Sequence, residues 1–288
     1  MKNLPEHQKG ILFVFIAALL WSSGGLFIKL ISLPAMQLAF FRCTIAALTF
    51  GLIFRKQVLL VNRLTFLNSL FYAAILITFV ISTKTTTAAN AIFLQATAPI
   101  YVLIFEPLIN KTKYERINII TVAVCTLGML LFFVGELEPG HLEGNIVALF
   151  SGIAFAAFFL GMKKNDQKFQ QSSIFYGNIL VALVSIPFLY SIEVLTSTDL
   201  LMVSFLGVFQ IAVAYAFFSL GLKRIYAVEA SIISMVEPVF NPVWVYLGYG
   251  EVPSITAIIG GLIIIGAVVS RTLISGAPLL KGKFKYQA

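Results

Sequence analysis

Residues 234–244 read SMVEPVFNPVW, inside a run from Tyr226 to Leu247 that otherwise has the composition of a helix buried in hydrocarbon. Whether that run crosses a membrane decides the fold. A carboxylate at the centre of a bilayer costs at least ~2.5–3.5 kcal/mol on insertion scales, so such a group is normally kept from lipid and given a partner. Counting ~1.5 Å per residue from the start of the run puts Glu237 ~16 Å deep, near the midplane of a ~30 Å core. Ser234, three residues before it, and Asn241, four after, share its helix face. Pro238 and Pro242 remove backbone donors and release the carbonyls of Ser234 and Pro238, which a membrane tolerates only where protein groups or water take them up. The stretch reads as a kinked, polar wall of an internal cavity.

The rest of the chain has the composition this reading needs. Of its 288 residues, 59% are hydrophobic and 11% charged, against about 25% charged in a soluble globular domain. Ten apolar segments of spanning length follow one another: 10–30, 35–54, 64–83, 88–108, 117–135, 144–162, 172–192, 200–222, 226–248 and 255–274. The expected fold is an all-α membrane protein of ten transmembrane helices, with residues 275–288 as a basic cytoplasmic tail. MKNLPEHQKGILFVFIAALLWSSGG runs into a full-length span without a cleavage site, so the first segment is expected to be a retained helix. The net charge of +8 is scattered over short loops, which makes lipid headgroups, rather than nucleic acid, the expected counter-charge. Cys43 and Cys125 fall in predicted helices, and His7 and His141 in loops. No disulfide, metal site or cofactor is expected.

With an inner N-terminus, the inner loops and tail collect 17 of the 20 Lys and Arg residues, leaving Lys29, Lys84 and the intramembrane Arg42 elsewhere. By the positive-inside rule both termini are expected in the cytoplasm. Short loops and the lack of a targeting segment point to a bacterial inner membrane.

A shift of 139 residues lays TAANAIFLQATAPIY, from Thr87, on YAVEASIISMVEPVF, from Tyr226, with Pro99 on Pro238 and Lys84 on Lys223. A slightly smaller shift lays Gly10 on Gly144 and Trp21 on Phe155. The expected organisation is two five-helix units, residues 1–139 and 140–274. Five being odd, the second unit enters from the opposite face. Such inverted repeats can exchange conformations, giving inward-open and outward-open states around one central site.

Three stretches resemble the drug/metabolite transporter superfamily, specifically its EamA-type ten-helix members: LLWSSGGLFIKL (19–30), LPAMQLAFFRCTIAAL around Arg42, and ASIISMVEPVFNPVWVYLGYGEVPSITAIIGG from Ala230. The resemblance implies a basket of ten helices around a central cavity and, commonly, export of small metabolites or amino acids. Many members carry Asn soon after the first-helix tryptophan, where this chain has Ser22 and Ser23.

Arg42, counted ~11 Å in from the outer end of its helix, reaches nearly the depth of Glu237, so the two are a candidate buried ion pair. The alternative has Glu237 binding a substrate amine or cycling a proton. In the matching helix Gln95 lies one turn before Pro99, whose ring frees the Gln95 carbonyl. The two kinks are expected to meet across the pseudo-twofold axis. Glu106 and Glu229, nearer the inner helix ends, are expected to reach cytoplasmic water or neighbouring Lys and Arg groups. Trp21 and Gln210 fall halfway along the first and eighth helices, with Tyr215 further in, and a midplane Trp is unusual because interfaces are its preferred place. Helix packing is the alternative for Trp21, and an interhelical hydrogen bond for Gln210. The expected substrate-binding set is therefore Trp21, Gln95, Gln210, Tyr215, Ser234, Glu237 and Asn241, with Pro99, Pro238 and Pro242 as hinges. Gly152 with Ala156, and the run GGLIIIG, are expected to let helices pack closely.

An intramembrane enzyme would need clustered acids, a His-rich metal site or a nucleophile with a base, and the sequence offers none of these in its spans. No selectivity-filter element appears, and no G-x-x-x-x-G-K-[ST] loop that would couple ATP. The expected activity is secondary transport by alternating access of a small polar metabolite, an amino acid first among candidates and export the expected direction. A substrate gradient or a coupling proton would drive it, in a monomer or homodimer. A channel or facilitator for small solutes is the alternative.

Overall fold

The structure, a computed structural model, describes residues 4–134, 141–191, 196–249 and 254–276. Its first five crossings are α1 (Glu6–Trp21) with α2 (Gly24–Leu30), α3 (Ala35–Phe54), α4 (Arg63–Thr85), α5 (Ala88–Gln95) with α6 (Ala98–Asn110), and α7 (Arg116–Phe132). The second five are α8 (Leu142–Lys164), α9 (Gln170–Ser185), α10 (Ser197–Phe205) with α11 (Ala214–Leu222), α12 (Ala227–Ser234) with α13 (Val236–Tyr249), and α14 (Ile255–Gly276). Nine crossings have the length and hydropathy of membrane spans, and α7 is a shorter apolar helix. The ten-helix all-α membrane fold expected from the sequence is what forms. Local chemistry sets several starts. Asn62 and Thr65 form a capping box on α4, and the Thr87 and Thr196 hydroxyls accept from backbone N–H groups of α5 and α10.

Three crossings are split into half-helices. The fourth breaks between Gln95 and Ala98, and the ninth at Met235. Pro99 then sits second in α6 and Pro238 third in α13, where the missing N–H has no intrahelical partner to lose. These prolines restart a helix rather than bend a continuous one. Pro242, expected as a hinge, lies inside α13, which runs on through it. The first crossing breaks without proline: the hydroxyls of Ser22 and Ser23 donate back to the carbonyls of Leu19 and Leu20 at 2.6 and 2.8 Å. Such local bonds compete with the helical ladder. A π-helical stretch, Leu206–Val213, joins α10 to α11 and was not foreseen.

The fourth and ninth crossings match closely. The 139-residue shift lays α5 on α12 end to end, break included. The first crossing packs on the eighth as the third packs on the sixth, while the second pairs with the seventh and the fifth with the tenth. Exchanging the halves maps this set of pairings onto itself. Lys29 donates to the Thr86 carbonyl at 2.8 Å, and its counterpart Lys163 donates to that of Ile225, the counterpart of Thr86, at 2.7 Å. The first contact lies at the end of the bundle where α2 finishes. The second lies at the other end, beside the Arg224–Glu6 ion pair. Close crossings fall on glycines: a Cβ at Gly10 would approach the Gly221 carbonyl oxygen at 3.2 Å, and one at Gly128 would lie 3.1 Å from that of Gly260. At Gly266, in the same run as Gly260, an added Cβ would meet no neighbouring element within 4 Å.

Candidate functional site

The two matching breaks face one cleft. Gln95, Ala98 and Pro99 of the fourth crossing line it with Phe155 of α8 and with Ser234, Glu237 and Pro238 of the ninth, around about 20 Å³ of free volume. That is room for about one water, so a larger solute enters only if the cleft opens. Gln95 donates to the Ser151 hydroxyl at 2.8 Å, and the Ser234 hydroxyl donates to the Ser231 carbonyl at 2.7 Å. A Cβ at Gly152 would lie 2.9 Å from the Leu94 carbonyl oxygen and 3.0 Å from that of Gln95. Glycine there lets α8 press against the backbone exposed at the fourth-crossing break. Glu237 opens onto the cleft, and among the described residues it forms no ion pair. Its counterpart under the repeat, Ala98, lines the same cleft, so the cleft is acidic on one side only.

Four residues expected at the site lie outside the cleft lining. Asn241 donates to the Ser22 carbonyl at 2.9 Å, and Trp244 one turn on donates to the Ser22 hydroxyl at 2.8 Å. Both clamp the break in the first crossing, so Asn241 does not join Ser234 and Glu237. Gln210 packs over Gly24, where a Cβ would meet its Nε2 at 2.7 Å, and its Oε1 is buried without a partner. Trp21 and Tyr215 belong to an aromatic core behind the cleft. Trp21 meets Phe155 at 5.6 Å between ring centroids and Tyr215 at 4.9 Å, and Tyr215 meets Tyr72 at 4.6 Å. The Trp21 Nε1 is also buried and unpartnered. Phe155 thus joins cleft to core.

The expected Arg42–Glu237 ion pair does not form. Arg42 is fully buried, and its Nη2 donates to the Leu76 carbonyl at 3.3 Å. Its helix α3 packs on α4, α9 and the π stretch, and Tyr215 lies within electrostatic reach of both charges. Similar depth did not bring them together because different helices surround each. Glu106 and Glu229 are both buried; Glu229 finds an Arg group, as expected, while Glu106 finds backbone N–H groups in place of water or a basic side chain. The Glu106 carboxylate accepts from the backbone N–H groups of Ala227 and Val228, at 2.8 and 2.7 Å, capping α12. Glu229 pairs with Arg271 and with His7, and Arg271 also donates to Asn118 at 3.1 Å. These contacts tie the start of the ninth crossing to the fourth, tenth and first.

Sequence reasoning passed over the break at Ser22–Ser23, although the SSGG run signals it, and passed over Ser151 and Tyr72, for which the sequence carries no signal. A second groove lies on the other face of the ninth crossing, between Leu12, Phe15, Ile233, Phe240 and α14. Its walls are almost wholly apolar, unlike those of the cleft.

Comparison with known proteins agrees with this architecture. The family model described as the EamA-like transporter family matches residues 8–134 and again 142–272. The pseudopaline exporter CntI of Pseudomonas aeruginosa is 24% identical over 92% of this chain and 97% of its own. The inner membrane transporter YicL of Salmonella typhimurium is 26% identical over 94% and 97%, and human solute carrier family 35 member G1 is 21% identical over 94% and 81%. A solved crystal structure superposes with a TM-score of 0.78 over 94% of this chain and 99% of that one, at 18% identity, a likeness of fold alone. Twice matched by one family model, once in each half of a ten-helix basket with mirrored breaks, the chain belongs to the EamA-like transporter family.

Proposed function

We propose that the protein is a secondary-active exporter of a small polar metabolite, an amino acid first among candidates, working by alternating access around the cleft between the fourth and ninth crossings. The observation that carries the reading is the unpaired Glu237 carboxylate at the meeting point of two mirrored helix breaks. Broken helices at midplane expose backbone groups and dipole ends to a solute, and two like units facing opposite ways can alternate around it. A carboxylate within a membrane span that has no ion-pair partner in the protein calls for a cationic group or a proton from the solute side. The groove beyond α12–α13 is lined mainly by apolar side chains, with Gln8 and Thr272 its polar residues, and suits acyl chains better than a polar solute. CntI, by its name, exports pseudopaline, which supports export as the direction here.

The remaining parts of the reading follow the sequence. The repeats meet near residue 139, which lies outside the described residues, and the basic residues orient both termini to the cytoplasm of a bacterial inner membrane. Purified protein in liposomes, assayed for flux of a panel of amino acids, tests the function. Glu237→Gln is expected to lower flux at least about tenfold, roughly the loss of one charge-assisted bond, without lowering the melting temperature. Unchanged flux in the variant removes Glu237 from the site.

A further inference from the structure

Among the described residues five charged side chains are buried: Arg42, Glu106, Asp199, Glu229 and Arg271. Four of them are matched. Glu106 caps α12, Glu229 and Arg271 pair, and Asp199 accepts from the Ser32 N–H and hydroxyl at 3.0 and 2.9 Å. Arg42 is the exception. A guanidinium has five N–H donors, yet the Leu76 carbonyl takes one, and Nε and Nη1 are buried without partners. The groups it acts on, Cys43, Tyr72 and Tyr215, carry no formal charge as thiol and phenols. A buried cation without an anion is costly in a bilayer and marks a place where an anion arrives.

The complementary charge is Glu237, which faces the cleft equally unpaired. Phe155, Trp21 and Tyr215 stand in ring contact between the cleft and the Arg42 side, the last touching Tyr72 one turn from Leu76. The Trp21 Nε1 and Gln210 Oε1 in the same region are buried and unpartnered too. The region is short of a ligand that carries both signs of charge and some hydrogen-bonding capacity.

We propose that Arg42 and Glu237 are the two poles of one substrate site, Arg42 taking the carboxylate and Glu237 the ammonium of an aminocarboxylate, with the aromatic layer between them giving way as it enters. This rests on the carrier reading above and narrows its substrate class. It also fits the separation of the two opposite charges: joined, they would have to be pulled apart before either could take up the solute.

The test uses the full-length protein, in detergent for melting and in liposomes for flux, with three probes: the amino acid giving the largest melting shift in a panel, its decarboxylated amine, and its deaminated acid. The wild type is expected to prefer the amino acid over either analogue by at least about tenfold, since each analogue forfeits one charge-assisted contact. Arg42→Gln is expected to bring the amino acid down to the level of the amine without changing the response to the amine. Arg42→Lys, which keeps the charge and loses the fork, should fall between. If folded Arg42→Gln keeps the full preference for the amino acid over the amine, the proposal is wrong. Should that variant not fold, the wild-type series decides alone: equal response to amine and amino acid overturns the role of Arg42 and leaves the carrier reading intact. A wild type inert to every amino acid overturns both.

Discussion

The first and sixth crossings hold the same place in the two repeats and differ over five residues, Trp21-Ser22-Ser23-Gly24-Gly25 against Phe155-Ala156-Ala157-Phe158-Phe159. In the first, the helix stops and restarts, and Gln210, Asn241 and Trp244 press polar groups against the break. In the sixth, α8 is continuous, and Phe158 and Phe159 are fully buried where the glycines stand in the other half. At the ends of the bundle the halves remain alike, as the mirrored contacts of Lys29 and Lys163 show. The ends of the two halves share a frame, and the middle of the molecule holds one polar face and one aromatic face. The acid follows the same division, with Glu237 on one side of the cleft and Ala98 on the other.

Swapping the two faces is the most damaging way to break this contrast. Phe158→Ala and Phe159→Ala should each cost about 3–5 kcal/mol by opening a cavity in a packed core, read as a fall in melting temperature. The reverse change, Gly24→Phe with Gly25→Phe, makes the first crossing resemble the sixth. A Cβ at Gly25 already lies 2.6 Å from the Asn241 amide nitrogen, so the pair should cost about 1–3 kcal/mol at each site and abolish flux in liposomes. Folded, fully active double mutants would show that the break is dispensable.

Glu106→Ala sharpens the comparison at the ninth crossing, because it leaves the Ala227 and Val228 N–H groups uncapped. A loss of about 1–3 kcal/mol is expected by thermal denaturation, and an unchanged melting temperature would mean water replaces the cap at no cost. Smallest is Trp244→Phe, which keeps an aromatic ring, though a smaller one, and deletes the indole N–H that bonds the Ser22 hydroxyl. It should cost about 0.5–1.5 kcal/mol, and a larger fall would show that Trp244 does more than hold Ser22.

Much of the frame was legible in the residues. Pro99 and Pro238 announced matching kinks, which in the structure are helix breaks whose residues line one cleft. Gln95, Ser234 and Glu237 were gathered there from spacing and polarity alone. Trp21, Tyr215 and Gln210 were picked for the same reason, midspan position, yet they pack beside the cleft rather than line it. Depth along a helix says how far a side chain is from lipid headgroups and nothing about which neighbour it faces. The same blind spot produced the Arg42–Glu237 pair and missed the backbone N–H groups that Glu106 caps.

By itself the sequence determined ten crossings and marked Pro99 and Pro238 as points of irregularity in two of them, since hydropathy, span length and proline chemistry act within one segment of chain. Only the tertiary structure decided which partner each buried charge meets. Glu106 finds its N–H groups 121 and 122 residues away, and Glu229 finds His7 222 residues away. Pairings across such distances follow from how whole helices pack and rotate against one another, and no local pattern encodes that rotation.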